Sequence, residues 1–442
     1  MTLAEPAPPA PPKIFDRTTP PAIITLVLMA GLGALSMNIF LPSMPGMAAY
    51  FEVEYAVMQL AISAYLTVMA AIQLIIGPLS DRYGRRPVVL GAFVIFTLAT
   101  LGCLLAPNIE TFMICRMAQA GVSAGLVLSR AMVRDMVGPE KSASMIGYVT
   151  MCMAVAPMIG PMIGGAIEQA WGWHANFAVL LLFGIGVMVL CWVDAGETNR
   201  HRSASFTEQF RAYPELFASR RFWGYALACA FASGAFFTFM GGAPYVATEM
   251  LGLSPSELGF YFGFIAGGYM SGNFLSGRYS QRVGLNRMIL TGTLVSTGSM
   301  LFCLGLFLAG VAHPLALFGP VFVMGMGNGM TMPNAMAGSL SVRPALAGSA
   351  SGLGSTLMMG GGAALSAITG ALLGPQTGPW PLIGMMLLTG VCSALSILFV
   401  MAVERRRVRE EVAKAREEEA RARHIGAAVP ASMPGMQDLR ER

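Results

Sequence analysis

Charge is scarce in this sequence. Only 12% of its 442 residues are Asp, Glu, Lys or Arg, about half of the roughly 25% found in soluble globular chains. With 55% hydrophobic residues and a mean hydropathy of +0.63, that shortage excludes a water-soluble enzyme and a disordered chain. The alternation that marks β-barrel strands is missing too, replaced by long unbroken apolar runs. Cysteine is sparse and odd in number: seven residues (Cys103, Cys115, Cys152, Cys191, Cys229, Cys303, Cys392), all within apolar stretches. They read as packing residues, not as a disulfide framework or metal cluster. No metal-ligand spacing and no phosphate loop appear, so no cofactor and no ATP-driven step is expected. Gly121-Val-Ser123-Ala-Gly125 spells a hydrolase elbow. It lies inside an apolar run with no His or carboxylate at that depth, so no enzyme is expected.

What is present is a series of membrane spans. A helix crosses about 30 Å of hydrocarbon with about 20 apolar residues. Stretches free of charge run over 18–51, 55–80, 87–109, 142–167, 169–193, 222–248 and 258–277. Two longer ones, 288–342 and 344–403, each hold two helices, and 112–133 forms another, interrupted by Arg116 and capped by Arg130. The expected fold is an all-α membrane protein of twelve transmembrane helices. All 28 Lys and Arg except Arg116 fall in alternate loops or tails, while Glu52, Glu54, Glu110, Glu168, Glu249 and Glu257 fall in the others. The positive-inside rule then puts both termini in the cytoplasm. This distribution also makes a nucleic-acid partner unexpected despite the net charge of +5. The expected partners are membrane lipid and a small molecule, and the expected state is a monomer.

The chain repeats itself. Gly77-Pro-Leu-Ser-Asp-Arg-Tyr-Gly-Arg-Arg-Pro-Val-Val-Leu90 follows the second span, and Gly277-Arg-Tyr-Ser-Gln-Arg-Val-Gly-Leu-Asn-Arg-Met-Ile-Leu290 follows the eighth. Gly, Ser, Arg, Gly and Leu recur 200 residues apart. The reading is two parallel six-helix halves, a plan known among secondary transporters, with a midplane site between them. The expected divisions are a disordered, Pro-rich tail over 1–20, a first bundle over 21–194 and a linker over 195–221. A second bundle follows over 222–403, then a charged tail over 404–442 whose first part is a solvated helix.

The 77–86 loop resembles the signature loop of the major facilitator superfamily, with Gly77, Asp81, Arg82, Gly84, Arg85 and Arg86 in place. Further marks are Ser36-Met-Asn-Ile-Phe-Leu-Pro42, Arg116-Met-Ala-Gln119-Ala-Gly121 and Arg130-Ala-Met-Val-Arg134-Asp135. Ala156-Pro-Met-Ile-Gly-Pro161-Met-Ile-Gly-Gly165, Ala243-Pro-Tyr and Gly252-Leu-Ser-Pro-Ser-Glu-Leu-Gly259 complete the set. Together they resemble the bicyclomycin- and chloramphenicol-resistance branch of drug:proton antiporters, over about residues 20–405. One departure stands out: Asn38 occupies the position where that branch usually has Asp.

The resemblance implies a bacterial inner-membrane exporter of small amphiphilic drugs, exchanging them for protons and so conferring antibiotic resistance. It implies a conformational latch of Gly77, Asp81, Arg82, Gly84, Arg85 and Arg86 with Arg134 and Asp135. It also implies an antiporter motif of Pro157, Gly160, Pro161, Gly164 and Gly165 that governs outer closure. Arg116, about 7 Å deep at 1.5 Å per residue, is the one charge inside a span. Either it snorkels outward, or it faces the pathway and binds substrate or tunes a protonation site. Gln119 shares its face. Asn38, Gln59, Tyr65, Gln73, Tyr148, Tyr269, Asn273, Asn328 and Asn334 are further candidates for the pathway, or simply bond a neighbouring helix. With the only interior charge positive, neutral, zwitterionic or weakly acidic cargo is expected over lipophilic cations. Asn38 cannot titrate. Glu257, Asp135 or Asp81 could carry the proton, the substrate could carry it, or transport could be uncoupled. A metabolite transporter of the same fold is the alternative.

Overall fold

In a lipid environment every backbone polar group must be satisfied within the chain, and this chain does so with helices. The computed structural model describes residues 14–136, 145, 149, 159–199, 217–342 and 347–424. The first half comprises α1 (Ile23–Asn38), a 3₁₀ turn (Leu41–Ser43), α2 (Met44–Tyr50), α3 (Tyr55–Tyr83), α4 (Arg85–Leu104), α5 (Ile109–Gln119), α6 (Ser123–Met136), α7 (159–171) and α8 (Trp173–Asp194). The second comprises α9 (Arg220–Tyr245), α10 (Pro255–Val283), α11 (Leu285–Leu308), α12 (Pro314–Ser341), α13 (Ala347–Leu372) and α14 (Trp380–His424). Among the described residues, ten helices are long and apolar enough to cross a membrane. The expected fifth and eighth spans lie outside that set. The fifth begins outside the described residues, and polar residues spread along α10 leave it no stretch as apolar as those of the ten. The chain alternates between a terminal face, where α1 begins and the apolar part of α14 ends, and a distal face.

The repeat read from sequence is a repeat of backbone geometry. α3 and α10 are both 29 residues long, and each ends at a glycine of positive φ: Gly84 (+106°) and Gly284 (+86°). An L side chain rarely adopts that conformation, so both 200-spaced glycines are required for the turn into α4 and α11. A second correspondence was not visible in the sequence. Asp194, wholly buried at the end of α8, accepts from the Ala22 amide (2.9 Å) and the Thr25 hydroxyl (2.6 Å) at the start of α1. In the second half Glu404 of α14 accepts from Arg221, Tyr225 and Asn286. Thr25 and Tyr225 are again 200 apart. Each bundle is thus closed at the terminal face by an acid on its last helix gripping the start of its first. Asp194 also accepts from the Phe15 amide at 2.8 Å, which ties residues ahead of α1 to the bundle.

Glycines set the tightest crossings, as expected where helices associate by close packing and not by the hydrophobic effect. Gly268 and Gly272 of α10 lie against the backbone of Phe322 and Met326 on α12, while Gly325 and Gly329 lie against Ile265 and Tyr269 of α10. At one helix of 45 residues, α14 is about 68 Å long at 1.5 Å per residue, so it runs well beyond a bilayer core.

Candidate transport pathway

Arg116 is fully buried and does not snorkel. Its guanidinium is sandwiched between Phe40 (4.3 Å to the ring centre) and Tyr65 (4.1 Å), a cation–π arrangement that partly replaces lost hydration. Nε donates to the Ala61 carbonyl at 3.2 Å, and Nη1 donates to Gln119 Oε1 at 2.7 Å and to Ser36 at 3.5 Å. Gln119 in turn donates to Thr100 at 2.8 Å. One guanidinium therefore organises α1, α3, α4 and α5. No ion pair to Arg116 occurs among the described residues, and its Nη2 and the Tyr65 hydroxyl are buried without a partner. An aromatic wall of Phe51, Phe112, Trp173 and Phe177 stands between the cage and the distal face. Immediately after Gln119 the fourth span tightens to a 3₁₀ turn over Ala120–Val122, a local distortion typical of hinges.

Other polar candidates face elsewhere. Asn38 donates to the carbonyl of Ala34 in its own helix (2.6 Å), and Asn273 does the same with Tyr269 (3.0 Å). Asn334 donates to Ser276 and Met330. Asn328 accepts from Ser296 at 3.4 Å and keeps a buried amide nitrogen without a partner. Tyr148 lies outside the described residues.

Gln59 joins the two halves. The halves meet at the distal face, where the Tyr55 hydroxyl donates to the Gly241 carbonyl at 2.7 Å and Gln59 Nε2 donates to the Ser366 carbonyl at 2.8 Å. The Gln59 amide lies in a slot between Gly241 of α9 and Gly370 of α13, where a Cβ on either glycine would collide with it. The α7 glycines add further close contacts. Gly160 packs on Asn38, and a Cβ on Gly164 would collide with the Ile39 carbonyl. On the next position Gly165 abuts the Pro255 backbone, and the Pro161 carbonyl abuts Gly259. α7 is thus a wedge held by α1 on one side and by α10 of the other half on the next. Pro157 lies outside the described residues.

At the terminal face Arg85 bridges two carboxylates: Nη1 to Asp81 at 2.5 Å and Nε to Asp135 at 3.1 Å, with Ser80 also accepting. Arg134 lies on α6, and its side chain is outside what the structure describes. Arg82 stacks on Tyr83 instead of entering the network. Gly77 has open space about its Cα. The sequence reading missed Glu197, whose carboxylate accepts from the Arg85 and Arg86 amides at 2.9 and 3.2 Å. An acid there satisfies two orphan N–H groups and complements the positive end of α4. Its only sequence signal is an acid in the stretch after the sixth span. Asn199 donates to the Ser80 and Asp81 carbonyls, and Thr198 to Asp135. Substituting Asp135→Asn leaves Arg85 half-paired. The expected result is a loss of about 1 kcal/mol, since the pair is partly exposed, read as a lower melting temperature of the purified protein. An unchanged melting temperature would show that Arg85–Asp81 suffices.

Residues 26–367 match the Major Facilitator Superfamily. This chain belongs to that family. It is 31% identical over 381 residues to the uncharacterized MFS-type transporter YdgK of Bacillus subtilis, covering 84% of this chain and 93% of the relative. It is 30% identical over 357 residues to a chloramphenicol resistance protein of Pseudomonas aeruginosa, covering 80% and 84%. It is 28% identical over 375 residues to multidrug resistance protein D of Escherichia coli, covering 84% and 94%. The fold superposes on a D-xylose–proton symporter with a TM-score of 0.69 at 14% identity, covering 86% of this chain and 96% of that one. It superposes on an inward-facing bacterial Spinster homologue with 0.66 at 17%, covering 87% and 96%.

Proposed function

We propose that this facilitator-family transporter exports small amphiphilic drugs from the bacterial cytoplasm across the inner membrane, in exchange for protons. The terminal face is cytoplasmic on this reading, since the basic residues of the loops collect there. The conformation is then inward-facing, with its outer gate shut by Tyr55, Gln59 and the α7 wedge. Two six-helix bundles, 21–194 and 222–403, rock about this gate.

The observation that carries the reading is Arg116. A guanidinium paired with no carboxylate among the described residues, holding one donor in reserve beneath a hinge, suits an oxygen-rich neutral, zwitterionic or weakly acidic cargo. It repels lipophilic cations. Relatives named for chloramphenicol, bicyclomycin and multidrug resistance support the export direction. The test is growth of an efflux-deleted bacterium expressing the chain on phenicols, bicyclomycin, ethidium and an anionic drug. Resistance to the neutral drugs exceeding that to ethidium is expected. Resistance to none, with the protein present in the membrane, would leave a metabolite transporter of the same fold.

A second reading rests on Asn38. Its amide is spent on its own helix, and Glu257, one of the carboxylates that could carry a proton, is committed to a capping box with Ser254. An uncoupled facilitator would fit these two facts. Drug uptake into inverted vesicles that ignores an imposed pH gradient would favour it.

A further inference from the structure

Glu168 lies near the distal end of α7, four residues beyond Gly164 and three beyond Gly165, so it continues the faces that meet α1 and α10. Its Oε1 approaches Gly46 so closely that a Cβ there would stand 3.1 Å away. The Ser43 hydroxyl accepts from Asn176 Nδ2 at 2.9 Å, which leaves its own proton free to point at the Glu168 carboxyl. The other oxygen, Oε2, is shut off from solvent and has no hydrogen-bond partner. Among the described residues no basic side chain forms an ion pair with it. Tyr50 and Glu52 follow Gly46 in the first hairpin, His174 opens α8, and Glu257 opens α10 in its capping box. None of these forms an ion pair with Glu168 among the described residues. Burial raises its proton affinity above the ordinary carboxylate value, and the Ser43 hydroxyl offsets this in part.

We propose that Glu168 is a proton-operated latch on the distal gate: the closed face holds the carboxyl protonated, and the ionised carboxylate favours opening. Parting Gly165 from Pro255 admits water to the seam, where a charged carboxylate is solvated. The sign follows from linkage. The closed form binds the proton more tightly than the open form, so acid outside populates the closed form. Raising the pH through the closed-state value then releases it. The proposal rests on the export reading above: the proton enters from the outer side and returns to it when the gate opens, so it regulates the gate and is not itself the proton exchanged for cargo.

The test uses the full chain in lipid nanodiscs, with spin labels at Ala49 of the first half and Gln376 of the second, both exposed on the distal face. Between about pH 5 and pH 9, the wild-type distance distribution is expected to move from short to long. Glu168→Gln is expected to stay short, its closed fraction changing less than about twofold across the range. His174→Gln should behave as wild type. Ser43→Ala removes the hydroxyl that favours the ionised form, so its midpoint should rise by about half a unit or more. A full pH response in Glu168→Gln, its loss in His174→Gln, or no response in wild type would each overturn the latch. Failure to confer drug resistance with the latch intact sinks the exporter reading alone.

Discussion

Arg116→Ala abolishes drug resistance while the protein still reaches the membrane. That is the expected result, and its size follows from the cage. The guanidinium holds Ala61, Gln119 and Ser36 by hydrogen bonds and fills the gap between Phe40 and Tyr65. Alanine removes the charge, three contacts and the stacking together. Transport should fall by more than about tenfold, equivalent to more than about 1.4 kcal/mol. Arg116→Lys is the sharper variant. Lysine keeps the charge but cannot lie flat between two rings while donating in three directions, so it should recover only a small part of the activity. Drug binding to purified protein separates a site from a strut. A site loses affinity in both variants, whereas a strut lowers the melting temperature with affinity kept. Full resistance in Arg116→Ala would remove Arg116 from the pathway.

The sequence disclosed Arg116 because charge inside a span is conspicuous against so apolar a background. Its cage was hidden, since Phe40 and Tyr65 come from other helices and read as ordinary apolar and amphipathic residues. The same logic sorts the rest. The 200-residue repeat was legible because a positive-φ turn admits almost only glycine, at Gly84 and Gly284 alike. The partner acids Asp194, Glu197 and Glu404 were not, because an acid at a helix end looks the same whether it is solvated or grips the next helix. Polar residues in spans were legible as a group but not by role. Asn38 and Asn273 fold back on their own carbonyls, while Gln59 crosses between bundles, and only the packing of α3 on α13 decides which. The α7 glycines were readable as close-packing positions. That Gly164 meets α1 while Gly165 meets α10 is a consequence of one step of about 100° around the helix.

Loosening the distal gate should show the second large effect. Tyr55→Phe and Gln59→Ala together delete the hydroxyl and amide donors that join the halves at Gly241 and Ser366. Each bond contributes about 1 kcal/mol net, so the pair should shift the closed–open balance by about 2 kcal/mol, roughly thirtyfold. The two bonds lie one helical turn apart on α3, so some coupling between them is expected, and the single variants bound it. The readout is labelling of a cysteine placed at Ser366, in the seam beneath Gln59, by a membrane-impermeant thiol reagent added outside intact cells. In the double variant the labelling rate should rise by about ten- to thirtyfold. Gly370→Leu acts on the same slot with opposite geometry: its side chain occupies the space of the Gln59 amide. The gate can then no longer seat, and labelling should rise with transport lost, since a carrier that cannot close outside cannot complete its cycle. Unchanged labelling in both variants would mean that the α7 wedge alone, through Gly165 and Pro255, keeps the distal face shut.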